Sequence, residues 1–171
     1  MEGITEIDMF WRIAITRMKS LFFALILFFA LTVPSLASEV RPVAPKQNDK
    51  CPVCGMFVAK YPHWLAEVIF KDGTYAVFDG PKDMFKYYLN LAKYASSKKS
   101  ADIAGIFVTE YYSTKLLDAR KLFFVIGSDV YGPMGDELIP LSSEADAREF
   151  MKDHKGTRIV KFQEVTNELL H

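Results

Sequence analysis

The sequence predicts an α+β fold, two small pseudo-repeated strand–strand–helix units packed as one compact domain, and three observations carry that expectation. Short apolar runs of strand length alternate with two amphipathic stretches of helical spacing, centred on Met84-Phe85 and Phe150-Met151. Turn chemistry punctuates them, notably Asp72-Gly73 and Gly132-Pro133-Met134-Gly135. The halves also echo each other. Gly55-Met56, strands, Phe78-Asp79 and a helix are answered by Met134-Gly135, a strand, Leu141-Ser142 and a second helix.

Residues 1–37 read as an export signal. Arg12, Arg17 and Lys19 precede an apolar run from Leu21 to Val33, and Ser35 and Ala37 offer small residues at −3 and −1 of a cut after Ala37. Glu2, Glu6 and Asp8 are unusual in a basic n-region, and Met18-Lys19-Ser20 is the more typical beginning, which makes Met18 an alternative start of translation. The rival expectation is an uncleaved anchor with membrane association, although the run is about two-thirds of the ~20 residues a bilayer needs. Either way the rest is exported, to the periplasm or another extracytoplasmic space, where unprotected thiols oxidise. Residues 38–50, with Pro42, Pro45, Gln47, Asn48 and Asp49, read as a flexible linker, and 51–168 as the folded domain.

Within that domain, Phe57–Lys60 and Ala66–Phe70 read as strands, and Tyr75–Val77-Phe78 as the hairpin partner of the second. Asp79 stands where a helix N-cap belongs, just before Gly80-Pro81, and an amphipathic helix follows over Lys82–Tyr94. Ser96–Ser100 is a polar loop, then Ile103–Thr109, Lys115–Leu117 and Leu122–Ser128 read as strands. The Gly-Pro-Met-Gly loop leads to a short strand over Glu137–Leu141. Ser142 or Ser143 caps a helix that ends near Lys155-Gly156, and Arg158–Phe162 is the last strand.

Composition narrows the function. Lys+Arg and Asp+Glu balance at 21 each, which excludes the net basic face of an ordinary nucleic-acid binder. Aromatic content of 14% excludes an acidic disordered chain. Two cysteines cannot staple a disulfide scaffold or fill a four-cysteine zinc site from one chain.

Those two cysteines are the sharpest local feature, in Cys51-Pro52-Val53-Cys54-Gly55-Met56. Haem attachment requires His after the second cysteine, where Gly55 stands. A thioredoxin-like pair opens a helix after a strand, whereas Cys51 follows a linker. An inert disulfide remains open on compartment grounds. Thiolate with thioether favours Cu(I), and Met56 follows Cys54 at a spacing that puts both on one face of an extended strand. Met134 is a second thioether, in a Gly/Pro loop that offers it little packing purpose. His63, beside Trp64 in the Tyr61-Pro62 loop, is a secondary copper candidate. No nucleophile elbow, P-loop or dinucleotide fingerprint is present, so no enzyme activity is expected.

Cys54-Gly55-Met56 with Phe-Val-Ala-Lys-Tyr-Pro, then Phe78-Asp79 before a helix, resembles the opening of the NosL family. Phe107–Glu110, Leu117-Asp118-Ala119, Val125–Ser128, Met134-Gly135, Ala147-X-X-Phe150 and Lys155-Gly156 continue the pattern in order, from about Cys51 to Val165. The resemblance implies an exported Cu(I)-binding metallochaperone of two related α/β units, associated with maturation of nitrous oxide reductase. It implies Cys54, Met56 and Met134 as ligands, with Cys51 as substitute for the lipidated cysteine of many members. Here Leu36-Ala37-Ser38 is followed by Glu39, so no lipobox cysteine is present. Its partner would be a copper-receiving periplasmic enzyme or copper-assembly machinery. The alternative is a thiol–disulfide protein whose Cys51/Cys54 pair reduces or protects a partner's metal-binding thiols.

Overall fold

The computed structural model describes residues 40–170, so the expected export signal and the bulk of any anchor lie outside the described residues. No helix among the described residues is long and apolar enough to cross a membrane.

Strands β1 (Ala66–Phe70) and β2 (Tyr75–Phe78) form the hairpin that Asp72-Gly73 specifies, Gly73 taking φ +81 in the turn. Helix α1 (Pro81–Leu89) follows, then a single turn α2 (Leu91–Tyr94). The expected continuous helix therefore breaks at Asn90, whose side chain donates to the Lys86 carbonyl and to Asn167. Strand β3 (Ile103–Thr109) returns antiparallel to β1, and β4 (Leu116–Asp118) adds an edge, giving the order β2-β1-β3-β4.

The second sheet is built from β5 (Phe123–Ile126), β8 (Ile139–Leu141) and β9 (Arg158–Lys161), with β5 in the middle. Between β5 and β8 lies the small ribbon of β6 (Tyr131–Gly132) and β7 (Gly135–Asp136). Helix α3 (Glu144–Asp153) is capped by Ser143, whose hydroxyl accepts the Asp146 N–H at 3.1 Å. The mixed α+β class holds, and in both sheets the first strand is central, flanked by the strand before a helix and the strand after it.

One expected strand is absent. Val58–Lys60 is a single 3-10 turn, and Phe57 makes only an isolated antiparallel bridge to Lys50. Both edges of β1 are already taken by β2 and β3, and Pro62 prevents regular extension beyond Tyr61.

Helix α1 lies between the sheets. Its Phe85, fully buried, meets Phe124 of β5 edge-on at 5.1 Å and Phe162 at 5.0 Å, while Phe78 of β2 packs on Tyr87 at 5.1 Å. Helix α3 covers the other face of β5 through Ala147 and Phe150, against Val125, Ile139 and Leu141. The lead-in 40–50 has no regular structure but makes specific contacts. Val43 N–H donates to Glu67 Oε2 at 2.9 Å, and Asp49 accepts the Tyr75 hydroxyl at 3.0 Å.

Two stability predictions follow from this packing. Phe85→Ala removes the ring that ties α1 to the second sheet, and urea unfolding should show a loss of about 3–5 kcal/mol; a loss under ~1 kcal/mol would mean that Phe85 does not hold the core together. Glu67 is buried with Oε1 unpartnered among the described residues, and burial pushes its carboxyl up to about 7. A folded pKa above the unfolded one leaves stability whole below about pH 4.5 and erodes it as pH rises through 7. Glu67→Gln should therefore raise the free energy of urea unfolding at pH 8, by at most about 3 kcal/mol, and hardly alter it at pH 4. An effect equal at both pH values would rule out the ionisation as its cause.

Candidate metal centre

Cys51 and Cys54 sit on a knuckle whose arms are joined by the Lys50–Phe57 bridge and by the Cys51 N–H donating to the Met56 carbonyl at 2.9 Å. Gly55 N–H closes the turn on the Cys51 carbonyl at 2.8 Å. Gly55 holds φ +80 with open space where a Cβ would stand, so glycine is required for the backbone angle and not for room. The turn brings the Cys54 N–H to 3.5 Å from Cys51 Sγ.

The knuckle rests on the corner where β2 runs into α1. Cys54 Sγ–H donates to Asp79 Oδ1 at 3.1 Å, and Cys51 Sγ–H to Asp83 Oδ2 at 3.4 Å. The two sulfurs and one oxygen of each carboxylate all lie within 4.8 Å of one another. Cys51, Asp79 and Asp83 are buried, while Cys54 is half-buried and opens the cluster to solvent. Lys86 reaches Asp83 Oδ1 at 3.5 Å, and Asp79 Oδ2 is buried without a hydrogen-bond partner among the described residues.

Asp79 is thus not the helix cap that its position suggested. The N-cap is Gly80, which has no side chain to offer, and the capping carboxylate comes from Glu137, 55 residues after the Lys82 whose N–H it accepts. Glu137 Oε1 accepts the Lys82 N–H at 2.5 Å and the Leu138 N–H at 2.9 Å. With the helix end satisfied from elsewhere, Asp79 turns to Cys54. The sequence carried one unused clue: Asp79 and Asp83 stand four apart, a spacing that on a helix puts both on one side.

The other sequence candidates are dispersed. Met56 is half-buried on the far arm of the knuckle. Met134 is 47% exposed at the tip of the β6–β7 ribbon. His63 is exposed in the 3-10 turn Pro62–Trp64 and is not part of the thiol–carboxylate cluster.

Both thiols are held protonated. Burial, the largest influence, pushes Cys51 up to about 11 against the N–H groups of Cys54 and Val53, which pull it down. Cys54 is raised further, first by burial and then by Cys51, Asp79 and Asp83. Both cysteines are free. A soft metal ion entering here must replace thiol protons, and the carboxylates that already hold those protons are their nearest acceptors.

An α+β domain with a two-cysteine knuckle seated on a carboxylate pair is, as a class, a candidate metal-binding domain. The family model for NosL matches residues 42–170, and the chain belongs to the NosL family. It is 29% identical over 153 residues to the copper-binding lipoprotein NosL of Stutzerimonas stutzeri, a match spanning 86% of this chain and 80% of that protein. The crystal structure of the copper chaperone NosL from Shewanella denitrificans has a similar fold, with TM-score 0.63 and 23% identity over 75% of this chain and 97% of the other.

Replacing Asp79 by Asn removes a charge that keeps the Cys54 proton in place. The reduced apoprotein should then be alkylated by iodoacetamide about 3- to 10-fold faster at pH 8, since one pKa unit is tenfold in thiolate. An unchanged rate would show that Asp79 has no part in holding the thiol neutral.

Proposed function

We propose that this protein is an exported Cu(I) carrier, a metallochaperone that delivers copper to a periplasmic copper enzyme, with nitrous oxide reductase or a related enzyme as the client. The observation that supports it best is the convergence within 4.8 Å of two free thiols, on the knuckle that also carries Met56, and two carboxylates on the corner beneath it. Cys51 and Cys54 supply thiolates and Met56 and Met134 thioethers, a donor set of the softness Cu(I) prefers. His63, exposed and apart, is at most an entry ligand. The half-buried Cys54 suits transfer, because a partner's sulfur reaches it before the buried Cys51 is disturbed.

The protein acts as a carrier and not as an enzyme, in keeping with the relatives' names. The partner is a copper-receiving enzyme or its assembly machinery, met outside the cytoplasm after export through residues 1–37. The thiol–disulfide alternative is disfavoured by the electrostatics. Exchange requires a thiolate of lowered pKa, whereas here burial and carboxylates raise both thiols.

Anaerobic Cu(I) titration of the reduced protein against a competing chelator should give one tight equivalent. Cys54→Ser should weaken it by about 100-fold or more, and unchanged affinity in that variant would sink the assignment. Because each thiolate ligand releases a proton, apparent affinity should rise with pH through the neutral range. Two ligating thiols give about 100-fold per pH unit and one gives about tenfold, so Cys51→Ser should halve the logarithmic slope.

A further inference from the structure

The carboxylate that caps α1 also grips the ribbon that carries Met134. Glu137 directly follows β7, and its side chain folds back beneath the ribbon. A Cβ placed on Gly132 would stand 3.2 Å from both Cγ and Oε2 of Glu137. A Cβ placed on Gly80 would stand 2.1 Å from Glu137 Oε2. Two glycines, one in the ribbon and one at the start of α1, therefore form a slot, and Glu137 fills it while bonding the Lys82 N–H.

The β6–β7 ribbon has few other holds. Its strands are two residues each, paired only as Tyr131↔Asp136 and Gly132↔Gly135, with Gly135 at φ +86 closing the turn after Pro133-Met134. Tyr131, Met134, Gly135 and Asp136 are exposed, whereas Glu137 is 5% exposed. From Gly80 the chain passes directly to Asp79, which holds Cys54 at 3.1 Å. Gly132, Glu137, Gly80, Asp79 and Cys54 thus form one continuous line between the ribbon that carries Met134 and the nearer cysteine.

We propose that Glu137 is a positioning residue for the metal centre, a latch that fixes the Met134 ribbon against the first turn of α1 so that the thioether is presented to the copper held by the knuckle. The latch rests on the reading of Met134 as a ligand. Glu137 itself stays outside the donor set, engaged with backbone N–H groups. Its role is to convert a loose exposed side chain into one whose ordering is complete before copper arrives.

The test is Cu(I) affinity by chelator competition in the full chain, for Met134→Leu, Glu137→Ala, Glu137→Gln, Gly80→Ala and the Met134→Leu/Glu137→Ala double variant. Amide hydrogen exchange across residues 131–136 of each apoprotein is measured in parallel. Glu137→Ala should cost about tenfold in affinity, the low end for a residue that orients a metal ligand. Glu137→Gln should restore most of the loss, because its amide oxygen still accepts the Lys82 N–H. Gly80→Ala should reproduce the loss with Glu137 intact, by expelling the carboxylate from the slot. The double variant should bind no more weakly than Met134→Leu alone, the sign of a shared mechanism.

Losses that multiply in the double variant, or wild-type affinity in Glu137→Ala, would overturn the proposal. Should Glu137→Ala fail to fold, Gly80→Ala decides by the same criteria. Unchanged affinity in Met134→Leu would instead overturn the reading of Met134 as a ligand, and the latch's role at the metal centre with it, while the copper role stands or falls with Cys54→Ser. The latch itself is judged by exchange, which must quicken in the ribbon of Glu137→Ala and Gly80→Ala while that of α3 stays as in the wild type.

Discussion

Burial of helix α1 between the two sheets is the constraint on which the rest of the molecule depends. Phe85 touches both Phe124 and Phe162, and Phe78 locks Tyr87, so the helix can neither slide nor roll without opening the core. Its first turn is consequently a fixed platform. Asp83 sits on that turn, Asp79 just ahead of it, and the cysteine knuckle lands on both. A segment with almost no regular structure of its own thereby acquires a defined position from a helix that begins 27 residues after Cys54.

The same platform sets the electrostatics. Carboxylates beside thiols are unfavourable for thiolate, and burial adds to that, so the cysteines rest as neutral proton donors. Such thiols are poor nucleophiles, which protects them from disulfide exchange. A metal ion reverses the balance, since its positive charge is welcome where a second negative charge was not. These properties suit the proposed role, in which the site exchanges protons for a soft cation and takes little part in thiol chemistry.

Much of the fold was readable from local pattern. The Asp72-Gly73 hairpin, strand β3 over Ile103–Thr109, and the Ser143-capped helix each rest on residues a few positions apart, where spacing and turn chemistry act directly. Phe57–Lys60 misled because a strand needs a free neighbouring edge, and none was left beside β1. Asp79 misled for a related reason. Its sequence setting is that of an N-cap, but the helix end was satisfied by Glu137 from the far side of the domain.

What one stretch of chain could settle was the chemistry available: a Cys-X-X-Cys-Gly-Met run that turns tightly, presents two sulfurs and carries a thioether two residues further on. What it could not settle was the company those sulfurs keep. The carboxylates beneath them, the slot between Gly80 and Gly132, and the anchoring of the Met134 ribbon all join residues dozens of positions apart. Such contacts exist only once the apolar faces of α1 and both sheets have closed on each other, because the free energy that holds them comes from the whole core and not from any one motif.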